Sequence, residues 1–348
     1  MHRLSHRPVF CALLTLLLLS LGLRAAGAQE RTVMVGSMKR EFILHTPRNA
    51  DTGPWPLVIA LHGALQPASI LRRYLDLDEV ADREGFAVAY PKGLNLLWND
   101  GRGSVAGIMP IVTPRDDGAF ILAVLDTLMD EGVADPGRAY LMGFSNGAFL
   151  TAYIACRYAD RFAAYATLMM TAPKSYADSC KPSRPIPILI MNGTYDPIVP
   201  MFGRPTPGAE LMSANESAQF FARLNRCGTP QTSEVRTARI MRWDNCAEGS
   251  AVAFYEVEGG HQPPASSTGP MDALASVVLG PRRGGLDAPE EIWAFFQRFS
   301  QAWPPLPPGA ATALPPTLAM PPQAAAEPAA GVPLPLPSPL RQRTIRTQ

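Results

Sequence analysis

The pentapeptide Gly143-Phe144-Ser145-Asn146-Gly147 constrains this chain more than any other feature. It lies between an apolar run, Ala139 to Met142, and a segment of helical periodicity starting near Ala148. A strand that turns so sharply into a helix forces the central serine into a strained backbone conformation, and side chains at the flanking glycines would collide with the turn. The same turn lifts the serine oxygen to the carboxyl edge of a sheet. There it stands near a helix N-terminus, which favours developing negative charge.

That placement implies a mostly parallel sheet, and the remaining pattern agrees. Short apolar runs read as strands at Thr32 to Val35, Arg40 to His45, Leu57 to Leu61, Phe86 to Tyr90, Ala166 to Met170, Ile186 to Met191 and Val252 to Val257. Helix-period segments alternate with them, the pattern of a sheet covered by helices on both faces. The clearest spans Asp117 to Asp130, with Phe120, Ile121, Val124, Leu125, Leu128 and Met129 on one stripe, Asp116 as cap and Gly132 as stop. Another follows Asp287, with Pro289 in its first turn and Ile292, Phe295, Phe296 and Phe299 facing inward. A GxSxG turn in this setting points to the α/β-hydrolase fold.

A serine nucleophile needs a base whose pKa lies near neutrality, which singles out histidine. Of five histidines, His2 and His6 stand in the N-terminal segment, His45 closes an early strand, and His62 precedes Ser145. Hydrolases of this fold run serine, acid, histidine along the chain, so His261 is the candidate base, in the loop Glu258-Gly259-Gly260-His261. The acid must lie between the two and close a strand. Asp196 does so, after Ile188 to Tyr195 and before Pro197; Asp178 and Asp244 are weaker rivals, and Asp160 and Glu216 read as surface or helix carboxylates. The tetrahedral intermediate needs backbone N–H donors. Asn146 supplies one, and Ala64, in Leu61-His62-Gly63-Ala64, supplies the other, with His62 supporting the loop. This chemistry requires no metal and no organic cofactor.

The formal net charge of +1 gives no overall field to favour nucleic acid or an anionic surface, and 47% hydrophobic content suffices for a packed core. Residues 1–28 have the layout of a secretory signal: basic His2, Arg3, His6 and Arg7, an apolar run from Val9 to Leu23, then Ala26-Gly27-Ala28. The run is short of the ~20 residues a spanning helix needs, so we expect export, to the periplasm or outside the cell, and no stable membrane insertion after cleavage. Cys156, Cys180, Cys227 and Cys246 then remain; proximity favours Cys156 with Cys180 and Cys227 with Cys246 among three possible pairings. A zinc site is less favoured because no CxxC spacing occurs. We expect one hydrolase domain over residues 30–303 and an extended or disordered Pro/Ala-rich tail over 304–348.

With these segments in place, residues 32–300 resemble the secreted polyhydroxybutyrate depolymerase-like and feruloyl esterase-like enzymes. The resemblance rests on Leu61-His62-Gly63, Tyr90-Pro91-Lys92-Gly93, Trp98-Asn99-Asp100-Gly101, Asp116-Asp117, the serine pentapeptide, Asn192 to Pro200 and Gly259-Gly260-His261. It implies a serine esterase acting on an ester substrate that is polymeric in some members, either hydroxycinnamoyl esters on polysaccharide or short hydroxyalkanoate polyesters. Trp98, Asn99 and Met201 are candidate pocket residues. Gln262-Pro263-Pro264-Ala265 departs from the Thr-Trp-Pro-Gly type sequence common in the family, which leaves the substrate open. Two other readings stand beside it: a serine peptidase on the same fold, and a hydrolase-fold protein that binds polymer without turnover.

Overall fold

The computed structural model describes residues 28–301, apart from 49, 51, 103, 106–108, 111–114 and 207–208. The expected signal segment up to residue 27 and the expected tail from Pro304 lie outside the described residues. Among the described residues one sheet has ten strands: β1 Gln29–Val35, β2 Met38–His45, β3 Trp55–Leu61, β4 Ala87–Pro91, β5 Ala134–Phe144, β6 Ala164–Leu168, β7 Ile188–Gly193, β8 Gln231–Val235, β9 Ala238–Trp243 and β10 Val252–Val257. Their spatial order is β1-β2-β4-β3-β5-β6-β7-β10-β9-β8. The six strands from β4 to β10 are parallel, while β1, β2, β8 and β9 extend the edges antiparallel. This is the α/β-hydrolase arrangement, with the β4-β3 crossover that brings β5 to the middle of the sheet.

Alternate residues of the central strands enter different layers, as the two-residue period of a strand requires. Ile59, Leu141 and Ile190 pack against α3 Asp117–Asp130, α4 Asn146–Arg157 and α5 Ala214–Leu224, which contribute Phe120, Leu125, Leu150, Ile154 and Phe221. On the other face Val58, Tyr140 and Met142 meet α1 Ala68–Leu75, α2 Leu77–Glu84 and α7 Ala288–Phe296 through Leu71, Val80, Ile292 and Phe296. Each such side chain, fully enclosed, contributes about 1.5–3 kcal/mol relative to exposure. The caps are where the sequence puts them: Asp116 accepts from the Ala119 N–H at 2.8 Å, and the Asp287 side chain caps α7.

Three differences from the sequence reading have local causes. The strand expected over Ala166 to Met170 begins earlier and ends at Leu168, because Met169 adopts φ +55° and breaks the extended backbone. The β8-β9 hairpin was not anticipated, since β8 is exposed throughout and Arg239 and Arg242 interrupt β9 without a regular two-residue period. A remaining helix, α6 Pro270–Leu279, follows the His261 loop. The cysteines pair as Cys156–Cys180, tying the end of α4 to the short helix Tyr176–Ser179, and Cys227–Cys246, closing the region between α5 and the hairpin. Among the described residues no helix is long and apolar enough to cross a membrane.

Candidate active site

Ser145 stands at the junction of β5 and α4 with φ 52° and ψ −117°, a region non-glycine residues rarely enter. Its N–H donates to the Leu168 carbonyl of β6 at 2.8 Å, which fixes the turn against the neighbouring strand. The turn depends on its glycines. A Cβ on Gly143 would lie 2.3 Å from the Gly147 carbonyl, and one on Gly147 would lie 2.5 Å from the Leu61 carbonyl, so α4 can start only if both positions lack a side chain. The result is a half-buried serine at the carboxyl edge of the sheet, at the first turn of a helix.

His261 reaches this edge from the loop after β10, and Asp196 from the loop after β7. His261 Nε2 lies 2.8 Å from Ser145 Oγ, and its Nδ1 lies 2.6 Å from Asp196 Oδ2. A proton on Nδ1 donated to the carboxylate leaves Nε2 as acceptor for the serine hydroxyl. Asp196 is itself held: Oδ1 accepts from the N–H groups of Ile198 and Val199, each at 2.7 Å, so Pro197 bends the chain back over the carboxylate. The rivals stand elsewhere. Asp244 pairs with Arg298 on the surface, and Asp178 is exposed on the short helix.

The loop after β3 supplies the opposite wall. Asn146 opens α4, where a backbone N–H has no intrahelical acceptor, and among the described residues neither its N–H nor that of Ala64 meets a protein acceptor. His62 is enclosed beneath the loop. Its Nδ1 donates to the Gly63 carbonyl at 2.8 Å and its Nε2 accepts from the Gly93 N–H at 2.9 Å. Desolvation lowers its pKa from 6.5 to about 4, so it is neutral and both nitrogens are occupied by backbone.

The pocket candidates divide. Trp98 does not line a pocket: it is fully enclosed, packs at a tilt against the His62 ring and donates its indole N–H to the His62 carbonyl at 2.8 Å. Asn99 is half-buried and tied by its N–H to Asp117 and by its side-chain amide to the Arg115 carbonyl. Met201 is half-buried in the loop beyond Asp196, and its carbonyl accepts from Ala214.

Two groups of residues near the site received no role from the sequence, although Asp100 stands in the Trp98-Asn99-Asp100-Gly101 stretch and Gln262 in the segment after the histidine. Asp100 and Arg102 form a buried ion pair whose carboxylate also accepts from Asn146 Nδ2 at 2.7 Å. Gln262, directly after the histidine, is enclosed and bonded to the Tyr74 hydroxyl at 2.9 Å and the Gly280 carbonyl at 2.7 Å. It occupies the position where the sequence departs from the family pattern, and it anchors the segment bearing α6 to the histidine loop. Apolar side chains are exposed after β3 at Leu65, after β7 at Tyr195 and Phe202, and on α6 at Met271, Leu274, Val277 and Val278. Among the described residues no cluster of three or more His, Cys, Asp or Glu is placed to hold a metal ion.

Comparison with known proteins follows this geometry. Residues 40–172 match the family described as Esterase PHB depolymerase. A protein of Nocardia uniformis subsp. tsuyamanensis with an esterase name, NocK, is 29% identical over 61% of this chain and 64% of its own. Feruloyl esterase B of Piromyces equi is 28% identical over 59% of this chain and 39% of its own, and the bifunctional acetylxylan esterase/xylanase XynS20E of Neocallimastix patriciarum is 26% identical over 64% and 31%. The chain thus spans less than two thirds of the length of these relatives. Among solved structures, acetyl xylan esterase from Aspergillus awamori is similar at a TM-score of 0.49 and 15% identity, covering 65% of this chain and 92% of that one.

Proposed function

We propose that the chain, whose residues 40–172 match the family described as Esterase PHB depolymerase, is a secreted serine esterase that hydrolyses carboxylic esters through an acyl-enzyme. Ser145 Oγ attacks the ester carbonyl while His261 Nε2 takes its proton and Asp196 stabilises the resulting imidazolium. The oxyanion sits on the N–H groups of Ala64 and Asn146. His261 then protonates the departing alcohol, and a water deprotonated by the same nitrogen releases the acid. The observation that carries this reading is the unbroken line from Asp196 Oδ2 through His261 to Ser145 Oγ, with contacts of 2.6 and 2.8 Å, ending on a serine at φ 52°.

The exposed Leu65, in the loop that carries Ala64, and Tyr195, beside Asp196, support a substrate with an apolar acyl or polymer portion, as in hydroxycinnamoyl esters of polysaccharide or short hydroxyalkanoate esters. Two disulfides suit export to an oxidising compartment. The test is hydrolysis of methyl ferulate and of a 3-hydroxybutyrate oligomer by the mature protein beside Ser145→Ala. Turnover of either ester, lost by a factor of roughly 10⁴ or more in the variant, is the expected result. Turnover that survives the substitution removes Ser145 from the mechanism, and preferential cleavage of peptide amides moves the peptidase reading ahead.

A further inference from the structure

Asp100 and Arg102 are 2% and 8% exposed, and an ion pair so enclosed brings little net stability because desolvation offsets most of the attraction. Its position therefore needs another account, and its contacts supply one. Asp100 Oδ1 accepts from the N–H and the Nε of Arg102, both at 3.0 Å; Oδ2 accepts from Arg102 Nη2 at 2.6 Å and from Asn146 Nδ2 at 2.7 Å. The guanidinium lies over the Phe149 ring of α4, 3.3 Å from its centre. The amide of Asn146 can face only one way, because its Oδ1 accepts the Trp98 N–H at 2.8 Å while Nδ2 faces the carboxylate. From Trp98 the line continues through the indole N–H to the His62 carbonyl, two residues before Ala64.

We propose that Asp100, anchored by Arg102, is a positioning residue of the oxyanion site: by clamping the Asn146 side chain it fixes both backbone donors, the Asn146 N–H directly and the Ala64 N–H through Trp98 and the His62 loop. The proposal rests on the esterase reading above. It assigns the Asn146 side chain a task distinct from that of its backbone. The clamp holds the first turn of α4 and the loop after β3 at a fixed separation, so the two N–H groups meet one oxygen without reorganising as charge develops. The carboxylate acts through another residue and never touches substrate.

The experiment compares wild type, Asp100→Asn, Asn146→Ala and the double variant as full mature proteins. Asn146→Ala keeps the backbone donor and removes no charge, so it reports even if Asp100→Asn folds poorly. Two rates are read: labelling of Ser145 by a fluorophosphonate, followed by mass spectrometry, and turnover of methyl ferulate or the hydroxybutyrate oligomer. Each single variant should lower the labelling rate and kcat about 10- to 100-fold, the scale of a small misplacement of reacting groups. KM should stay within about twofold and the pH midpoint of labelling should not move, because His261 and Asp196 are untouched; the double variant should be no slower than the slower single one. If wild-type Ser145 is not labelled, or Ser145→Ala still turns over ester, the esterase reading fails and this proposal with it. If wild type is labelled and folded Asn146→Ala matches it in both rates, or the two substitutions multiply, the positioning role alone is overturned.

Discussion

His62 shows how much an enclosed side chain can be asked to do without entering the chemistry. Burial lowers its pKa from 6.5 to about 4, so across that interval the unfolded chain takes up a proton that the folded loop refuses. Stability from this group is therefore complete above about pH 6.5 and is lost as the pH falls towards 4, at about 1.4 kcal/mol per pH unit and about 3 kcal/mol in all. Urea unfolding midpoints measured from pH 7 to 4 should fall more steeply for wild type than for His62→Gln, which keeps an acceptor for the Gly93 N–H but has no titrating ring. Parallel slopes would mean that His62 does not titrate between the folded and unfolded states as its burial implies. The sequence made His62 legible as loop support by elimination, since it stands on the wrong side of Ser145 in the chain order. Trp98 was less legible: a tryptophan beside a glycine-rich loop reads equally as a pocket wall or as a brace, and only the indole contact to the His62 carbonyl decides for the brace. Asp100 was legible only as part of the Trp98-Asn99-Asp100-Gly101 stretch, and its role was not. Its partner Asn146 is 46 residues away, and no local pattern marks a carboxylate that acts across such a distance.

The elements that meet at the site are separated by backbone alone. Gly193 ends β7, three residues before Asp196, and a Cβ there would lie 2.1 Å from the Gly260 carbonyl and 2.5 Å from that of Gly259. Neither contact is a flexible side chain, so Gly193→Ala must push the loop after β10 away from the loop after β7, separating His261 from Asp196. We expect a stability loss of about 1–3 kcal/mol, typical of overpacking, together with a fall in kcat/KM of about 100-fold from the displaced imidazole. Paired thermal melts and ester kinetics check this; a folded variant with wild-type kcat/KM would show that the two loops tolerate the displacement. At this scale the sequence was informative wherever burial was two-sided. β3 and β4 are continuous apolar runs and β10 is interrupted only by Glu256, because both faces are covered, and β10 was placed to the residue. β8 carries Gln231 to Val235 wholly exposed at the sheet edge, so no hydrophobic periodicity could reveal it, and β9 followed it into obscurity.

Across the whole molecule the two disulfides fasten regions that the sheet leaves weakly tied. Cys156–Cys180 spans 24 residues and joins the last turn of α4 to the short helix Tyr176–Ser179; Cys227–Cys246 spans 19 residues and holds the β8-β9 hairpin against the end of α5. Closing loops of this length removes conformational freedom from the unfolded chain worth about 3 kcal/mol each. The pairs share no residue, so replacing both by serine should cost close to the sum of the separate losses. Their effects on turnover should differ in kind. β9 pairs with β10, but Cys246 follows Trp243, which stands opposite Val252 at the amino end of β10, away from the His261 loop, so Cys227→Ser with Cys246→Ser should lower the denaturation midpoint and leave kcat/KM within about twofold. Cys156 closes the helix that Asn146 opens and Ser145 caps, so Cys156→Ser with Cys180→Ser should loosen α4 and lower kcat/KM as well, by a factor that shrinks as temperature falls. Both pairs suit an oxidising compartment, in keeping with the export proposed above. Mass spectrometry of the protein recovered from culture medium or periplasm should therefore find a chain starting near Gln29, without Cys11, and with no free thiol. Recovery of a chain that retains residues 1–28, or that carries four reduced cysteines at full stability, would remove export from the proposed function and leave the esterase chemistry to stand on the site alone.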